Sequence, residues 1–264
     1  MKILFCYHSQ SGNTALACRA LSQKLDSASW DFFDVAKGSL PDLHLHDLIG
    51  FASWTYYLAL PPFFEEFLSR LPGQNGKPAF VFSTFGVMTG QVLVRMTKAL
   101  TAKGFMVLDG YSLRVPESYP VYIAQGSHSL EAPTPQELTG FDNFAARMAG
   151  HLERIQSGAA PQPVKIKLDI FSRLIPPASP KKIRRDMGPL AVDSALCDGC
   201  GICRQVCLYD AIDSATPPVF LPENCKSCWA CFSHCPQKAI YTGKVRGQGH
   251  YPQPAEVLTA KLTI

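Results

Sequence analysis

The chain predicts a doubly wound parallel α/β sheet of five strands followed by a small α+β domain rich in cysteine. Three observations predict it. Strand and helix patterns alternate over the first 157 of the 264 residues. The rhythm then breaks into a proline-rich basic stretch. Eight of the ten cysteines follow, gathered between Cys197 and Cys235. Alternating strands and helices need both faces of a parallel sheet covered, which is the doubly wound arrangement.

Residues 2–8 are apolar and end in a polar, glycine-containing turn, so they form the first strand. Residues 15–25 carry Cys18, Leu21 and Leu25 at helical spacing. Residues 30–35 and 48–53 read as the second and third strands. Pro61 and Pro62 open a helix over 63–71, because proline lacks only a donor that the first turn leaves unpaired anyway. Residues 79–83 form a buried fourth strand. Residues 91–103 place Val92, Met96 and Leu100 on one helix face, and Gly104 stops it. A fifth strand begins at 105–108, and 136–156 form the last helix.

Composition excludes several classes. Hydrophobic residues make up 47% and charged residues 17%, which is globular rather than disordered. The net charge of +4 is too mild to signal nucleic acid. The longest uncharged run, 48–64, is short for a membrane span and holds Ser53, Thr55, Pro61 and Pro62. The apolar stretch after Lys2 is too short for a signal peptide. The expected location is the cytoplasm. There a cysteine cluster points to metal rather than disulfides.

The expected organisation is a first domain over 1–157, a linker over 158–190, a cysteine domain over 191–243 and a tail over 244–264. The linker holds six prolines. Lys165, Lys167, Arg173, Lys181, Lys182, Arg184 and Arg185 stand against Asp169 and Asp186. It reads either as a solvated connection or as a docking strip for an acidic partner.

The cysteine domain is an internal repeat. Cys197, Cys200, Cys203 and Cys207 recur 28 residues later as Cys225, Cys228, Cys231 and Cys235, with Ala211 and Ile212 recurring as Ala239 and Ile240. Three thiolates on one tight loop hold three irons of a cubane, and the fourth iron needs a ligand from elsewhere. Paired zinc sites are the competing use of eight thiolates, but they are generally built from two-cysteine knuckles, not triplets. Over about residues 190–243 the chain resembles the bacterial two-cluster ferredoxins. Pro236 follows Cys235 as in that family, whereas Leu208 stands after Cys207 where proline is usual. The resemblance implies crossed ligation, the fourth cysteine of each run serving the other cluster. One [4Fe–4S] cluster then takes Cys197, Cys200, Cys203 and Cys235, and the other takes Cys225, Cys228, Cys231 and Cys207.

Between the first strand and the first helix stands Ser9-Gln10-Ser11-Gly12-Asn13-Thr14. Hydroxyls, an amide and free backbone N–H groups converge there at a helix N-terminus, which favours an anion. No lysine is present, so this is not a nucleoside-triphosphate loop. It is either a polar turn or a phosphate site. It resembles the flavodoxin phosphate loop, which holds the FMN phosphate without a basic side chain. Ser53, Trp54, Thr55 and Tyr56 follow the third strand, and Thr84, Phe85, Gly86 and Gly90 follow the fourth. Both loops lie at strand C-termini, where open α/β sheets bind ligands. The flavodoxin resemblance places aromatic side chains and close backbone beside the flavin ring there, with Tyr119 near the same rim.

With Leu60-Pro61-Pro62 and Val115-Pro116-Glu117-Ser118-Tyr119, these motifs make the chain resemble the flavodoxin–ferredoxin fusion proteins called ferrodoxins. That implies electron relay between two [4Fe–4S] clusters and FMN, linking one-electron and two-electron redox partner proteins. The alternative is an FMN-dependent reductase of a quinone or tetrapyrrole, fed by the clusters. The cysteine domain is expected to dock on a rim of Trp54, Phe85 and Tyr119. No acid–base constellation stands out. Cys6 and Cys18 read as core residues, and His44 and His46 as surface residues.

Overall fold

The computed structural model describes residues 1–126, 129, 131–167, 172 and 174–263. Asp169 and Arg173, counted in the linker charge, lie outside the described residues. Five strands, β1 (Lys2–Tyr7), β2 (Ser29–Asp34), β3 (Leu48–Trp54), β4 (Lys77–Phe85) and β5 (Phe105–Arg114), form one sheet in the order β2-β1-β3-β4-β5. Every neighbouring pair is parallel. Helices α1 (Asn13–Lys24), α2 (Pro62–Arg70) and α3 (Val92–Ala102) connect strands, and α4 (Pro120–Ala124) and α5 (Pro135–Gln156) follow β5.

Strand alternation sorts side chains into two cores. Ile3, Phe5, Phe80 and Phe82 face α1 and α5, meeting Leu21, Phe141 and Phe144. Leu4, Cys6, Phe51 and Val81 face α2 and α3, meeting Phe64, Met96 and Leu100. Gly50 sits between the rings: a Cβ there would stand 2.4 Å from Phe80 Cζ and 2.9 Å from Phe5 Cδ2. Cys6 and Cys18 are fully buried, and burial pushes both thiols upward, which makes them inert. His46 differs from its expected surface place. It is buried, with Nε2 2.9 Å from Asp31 Oδ2 and Nδ1 3.2 Å from the Asp42 carbonyl. His44 is exposed.

β5 runs six residues past the segment recognised in the sequence. It carries a register shift opposite Ala79 and Val81, and Asp109 stands there almost fully buried. The carboxylate is satisfied by Arg147 Nε of α5 at 2.7 Å and by the Gly110 N–H at 2.7 Å. The linker covers this sheet edge. Val164 N–H donates to the Leu108 carbonyl at 2.6 Å, and Ile166 packs on the second core. It then forms α6 (Pro180–Met187), which Ser179 caps.

The cysteine domain pairs β6 (Ala191–Val192) antiparallel with β7 (Ile240–Tyr241). Each cysteine run contains one helical turn, α7 (Ile202–Gln205) and α8 (Ala230–Ser233). The repeat extends to the backbone. Gly199, Gly201 and Asp210 have positive φ, and so do Ser227, Trp229 and Lys238 at the same offset. The described part of the expected tail, residues 244–263, folds back onto the first domain. It carries α9 (Glu256–Leu262), which buries Leu258 and Leu262 in the core beside α1 and α5. Among the described residues, no helix is long and apolar enough to cross a membrane.

Candidate functional site

The C-terminal ends of β1, β3, β4 and β5 surround a cavity of about 380 Å³, within the range of small-molecule and cofactor sites. Twelve of the fifteen residues expected to hold a flavin line it: Ser9, Gln10, Ser11, Asn13, Thr14, Trp54, Thr55, Tyr56, Thr84, Phe85, Gly86 and Tyr119. Gly12, Ser53 and Gly90 do not. Ser53 is fully buried under the sheet end, its hydroxyl turned to the Trp54 carbonyl. Gly90 instead lets its loop abut the next turn, since a Cβ would stand 2.5 Å from Leu58 Cα. Gly12 caps α1 with φ 86°, and its open face is filled by Pro254.

The loop before α1 suits an anion. No side chain caps this helix end, and no acid stands in its first turn. Ser9 Oγ is buried and has no partner among the described residues. Such an orphaned hydroxyl beside an uncapped helix N-terminus fits a phosphate. Other polar groups of the loop are already engaged. Thr14 Oγ1 lies 2.8 Å from Thr84 Oγ1. The Asn13 amide donates to the Pro116 carbonyl at 3.2 Å and accepts from Tyr251 OH at 3.1 Å. The Gln10 amide reaches the cysteine domain, donating to the Cys228 carbonyl at 2.9 Å.

The opposite wall is a tight turn. Tyr56 and Ala59 exchange backbone hydrogen bonds, which leaves Tyr57 (φ 45°) and Leu58 (φ 70°) in the left-handed region. That conformation is costly for bulky residues and persists only where the surroundings enforce it. Gln91 N–H fixes the Leu58 carbonyl at 2.8 Å, and Ala178 N–H fixes that of Tyr57 at 3.3 Å. The turn aims both tyrosines at the cysteine domain. Tyr56 OH donates to the Lys226 carbonyl, and Tyr57 OH donates to that of Ser227 at 3.4 Å. Trp229 Nε1–H donates to Tyr57 OH at 3.1 Å, and the rings of Trp229 and Tyr119 are 5.7 Å apart. Glu117 completes the rim, accepting from the N–H groups of Ser118 and Tyr119 at 2.8 Å each.

The docking rim is therefore Tyr56, Tyr57 and Tyr119, rather than Trp54 and Phe85. Trp54 lines the cavity but rests on His8 and Phe63. Tyr57 and Trp229 are not among the site residues expected from the sequence, and Glu117 enters there only as part of the 115–119 motif. For Trp229 a signal existed: its repeat partner is Gly201, and a tryptophan at a left-handed glycine position needs a reason. Lys182 and Asp186 of α6 also reach the cavity.

The eight cysteines form two groups. Cys197, Cys200, Cys203 and Cys235 line one depression, and Cys207, Cys225, Cys228 and Cys231 line another. Each group draws its fourth member from the other run. Burial pushes the Cys228 thiol up to about 12, with Cys225 and Cys207 adding to the effect. Burial likewise raises Cys203, with Cys235, Cys200 and Cys197 adding. Ser227 N–H donates to Cys225 Sγ at 3.4 Å, and Ala239 N–H to Cys235 Sγ at 3.3 Å. Among the described residues, no three His, Cys, Asp or Glu side chains close around one point as a single ion requires.

Residues 4–110 match the flavodoxin domain family. No curated protein sequence matches the chain. Among solved structures, Flavodoxin 2 from Bacillus cereus is 21% identical, covers 57% of this chain and 99% of its own, and superposes with a TM-score of 0.42. The flavodoxin of Streptococcus pneumonia TIGR4 is 16% identical over 57% and 99%, with a TM-score of 0.43. The flavodiiron protein from Giardia intestinalis is 17% identical over 60% and 38%, with a TM-score of 0.42. The N-terminal part of this chain is a flavodoxin-like domain, which implies FMN binding and a redox, electron-transferring function.

Proposed function

We propose that the chain is an electron-transfer protein that holds FMN in the 380 Å³ cavity and one [4Fe–4S] cluster on each cysteine group. Bound FMN exchanges one or two electrons while clusters pass single electrons, so the chain links one-electron and two-electron redox partners. The observation that carries the reading is Cys228. It lines the flavin cavity and also belongs to a four-cysteine group.

The residues divide the work. Ser9, Ser11 and the N–H groups opening α1 hold the phosphate. Thr55 and Gly86 bring backbone close to the ring, and Tyr56, Tyr57 and Tyr119 exclude water from the side where the cysteine domain docks. Gln10 ties the phosphate loop to Cys228. Backbone N–H groups directed at Cys225 and Cys235 stabilise negative charge on sulfur, which tunes a cluster potential.

Anaerobic purification with flavin identification and iron quantitation tests the loading, with about eight irons expected beside one FMN. A stopped-flow experiment tests the relay. After reduction of the clusters by a one-electron donor, the flavin should change at a rate independent of protein concentration. A rate proportional to protein concentration would mean transfer between molecules and would overturn the internal relay.

A further inference from the structure

The two cysteine groups differ in what surrounds them. The depression of Cys197, Cys200, Cys203 and Cys235 is lined only by residues from 192 onward, and Cys200 is exposed. Leu196 beside it is 49% exposed and Val219 53%. Nothing stands within 4 Å of the Cβ position of Gly201, while that of Gly199 meets only the Thr216 side chain, at 3.0 Å. The other group is more covered: Cys207, Cys225 and Cys228 are half-buried and none of its four cysteines is exposed. Cys231 and its neighbour Trp229 are buried, and Met187 of α6 closes one side. Cys228 faces the cavity and its carbonyl is held by Gln10. Tyr56, Tyr57 and Tyr119 seal the contact. The same loop therefore closes the flavin rim that an outside protein would otherwise approach.

We propose that the two groups act in a fixed order. The group of Cys207, Cys225, Cys228 and Cys231 is the flavin-side station, and the group of Cys197, Cys200, Cys203 and Cys235 is the outward port. The port exchanges single electrons with a one-electron redox protein: the partner loses one electron and the port gains it, or the reverse. Gln10 and the Trp229–Tyr57 pair are positioning residues that hold the inner station against the cavity. The order rests on the relay proposed above.

Solvent access distinguishes the stations without relying on activity. The intact, anaerobically loaded protein is treated with limiting ferricyanide in the presence of iodoacetamide. Iron is counted, and alkylated cysteines are mapped by peptide mass. The expected first phase removes half of the iron and labels Cys197, Cys200, Cys203 and Cys235 together, with FMN still bound and Cys225, Cys228 and Cys231 unlabelled. Labelling of the Cys225 group first, or of both groups at one rate, overturns the order while leaving the relay standing. A chain that takes up FMN but no iron overturns the relay and the order with it.

Discussion

Replacing Ser11 by aspartate sets a carboxylate in a loop where the structure leaves room for an anion. Ser11 is 8% exposed, so water screens the new charge poorly. At about 4 Å and an effective dielectric near 20, two unit charges repel by about 4 kcal/mol, and a phosphate monoester carries more than one charge. The carboxylate can escape by taking up a proton. At pH 7 that costs about 4 kcal/mol for a group that normally titrates near 3.9, which caps the penalty. FMN affinity should therefore fall about 10³-fold at pH 7. It should recover roughly tenfold for each pH unit of acidification until the carboxylate is mostly protonated. The Ser11→Ala control removes only a hydroxyl donor to a charged acceptor, worth about 1.5–3 kcal/mol. The apo-protein responds in the opposite sense. The first turn of α1 has no acid, so a nearby carboxylate adds about 0.3–1 kcal/mol at the helix end and should raise the apo melting temperature. Fluorescence titration of the apo-protein with FMN at pH 5, 6 and 7, with thermal melts, reads both effects. Near-normal FMN affinity at pH 7 would refute the phosphate assignment.

Three other perturbations probe the remaining contacts. Cys235→Ala should expose Cys197, Cys200 and Cys203 to alkylation while Cys225 and Cys228 stay protected; labelling of the Cys225 run instead would overturn the crossed grouping. Burial, ahead of nearby thiols and tyrosines, raises the pKa of Tyr56, Tyr57 and Tyr209. Because the folded values are raised, the stability these groups contribute is fully present below the free-tyrosine value near 10 and is lost as pH climbs past it. A tyrosinate absorbance titration should show Tyr56 and Tyr57 among the tyrosines that stay protonated after the exposed ones ionise, and all nine titrating together would contradict the sealed rim. Tyr251→Phe removes a hydroxyl that donates to Asn13 Oδ1 and accepts from the Ala255 N–H. Leaving a buried partner unpaired costs about 1–3 kcal/mol, so FMN binding should weaken while iron content stays unchanged. Equal FMN affinity in the variant would show that this segment does not support the phosphate loop.

The sheet was legible because its signals are local. Phe80, Val81 and Phe82 form an apolar run bounded by turn residues, and Val92, Met96 and Leu100 repeat at helical spacing. β5 was only half legible, because a buried Asp109 reads as a strand end until Arg147, 38 residues away, is known to neutralise it. α6 was hidden by its charge. Lys181, Lys182, Arg184 and Arg185 look like a solvated linker, and only Ile183 and Met187 betray a buried face. α9 is too short to announce itself by periodicity, and the partners of Leu258 and Leu262 lie more than 100 residues earlier.

The same divide between local and distant signals governs the site. The loop from Ser9 to Thr14 and the cysteine spacings are contiguous motifs, so their chemistry could be read directly. Their meeting could not. Gln10 and Cys228 are 218 residues apart, and Asn13 and Tyr251 are 238 apart. Gln10 and Asn13 look like phosphate donors in sequence because an amide beside a helix N-terminus invites that reading. In the folded chain their side chains instead fasten the C-terminal half to the loop, and Ser9 Oγ is left as the loop's buried hydroxyl without a partner among the described residues. This changes what the loop controls. A phosphate that orders the loop also orders the anchors of Cys228 and Tyr251, so FMN occupancy and docking of the cysteine domain should strengthen one another by the same free energy. The cysteine domain would then be held against the flavin site most firmly when there is a flavin to serve.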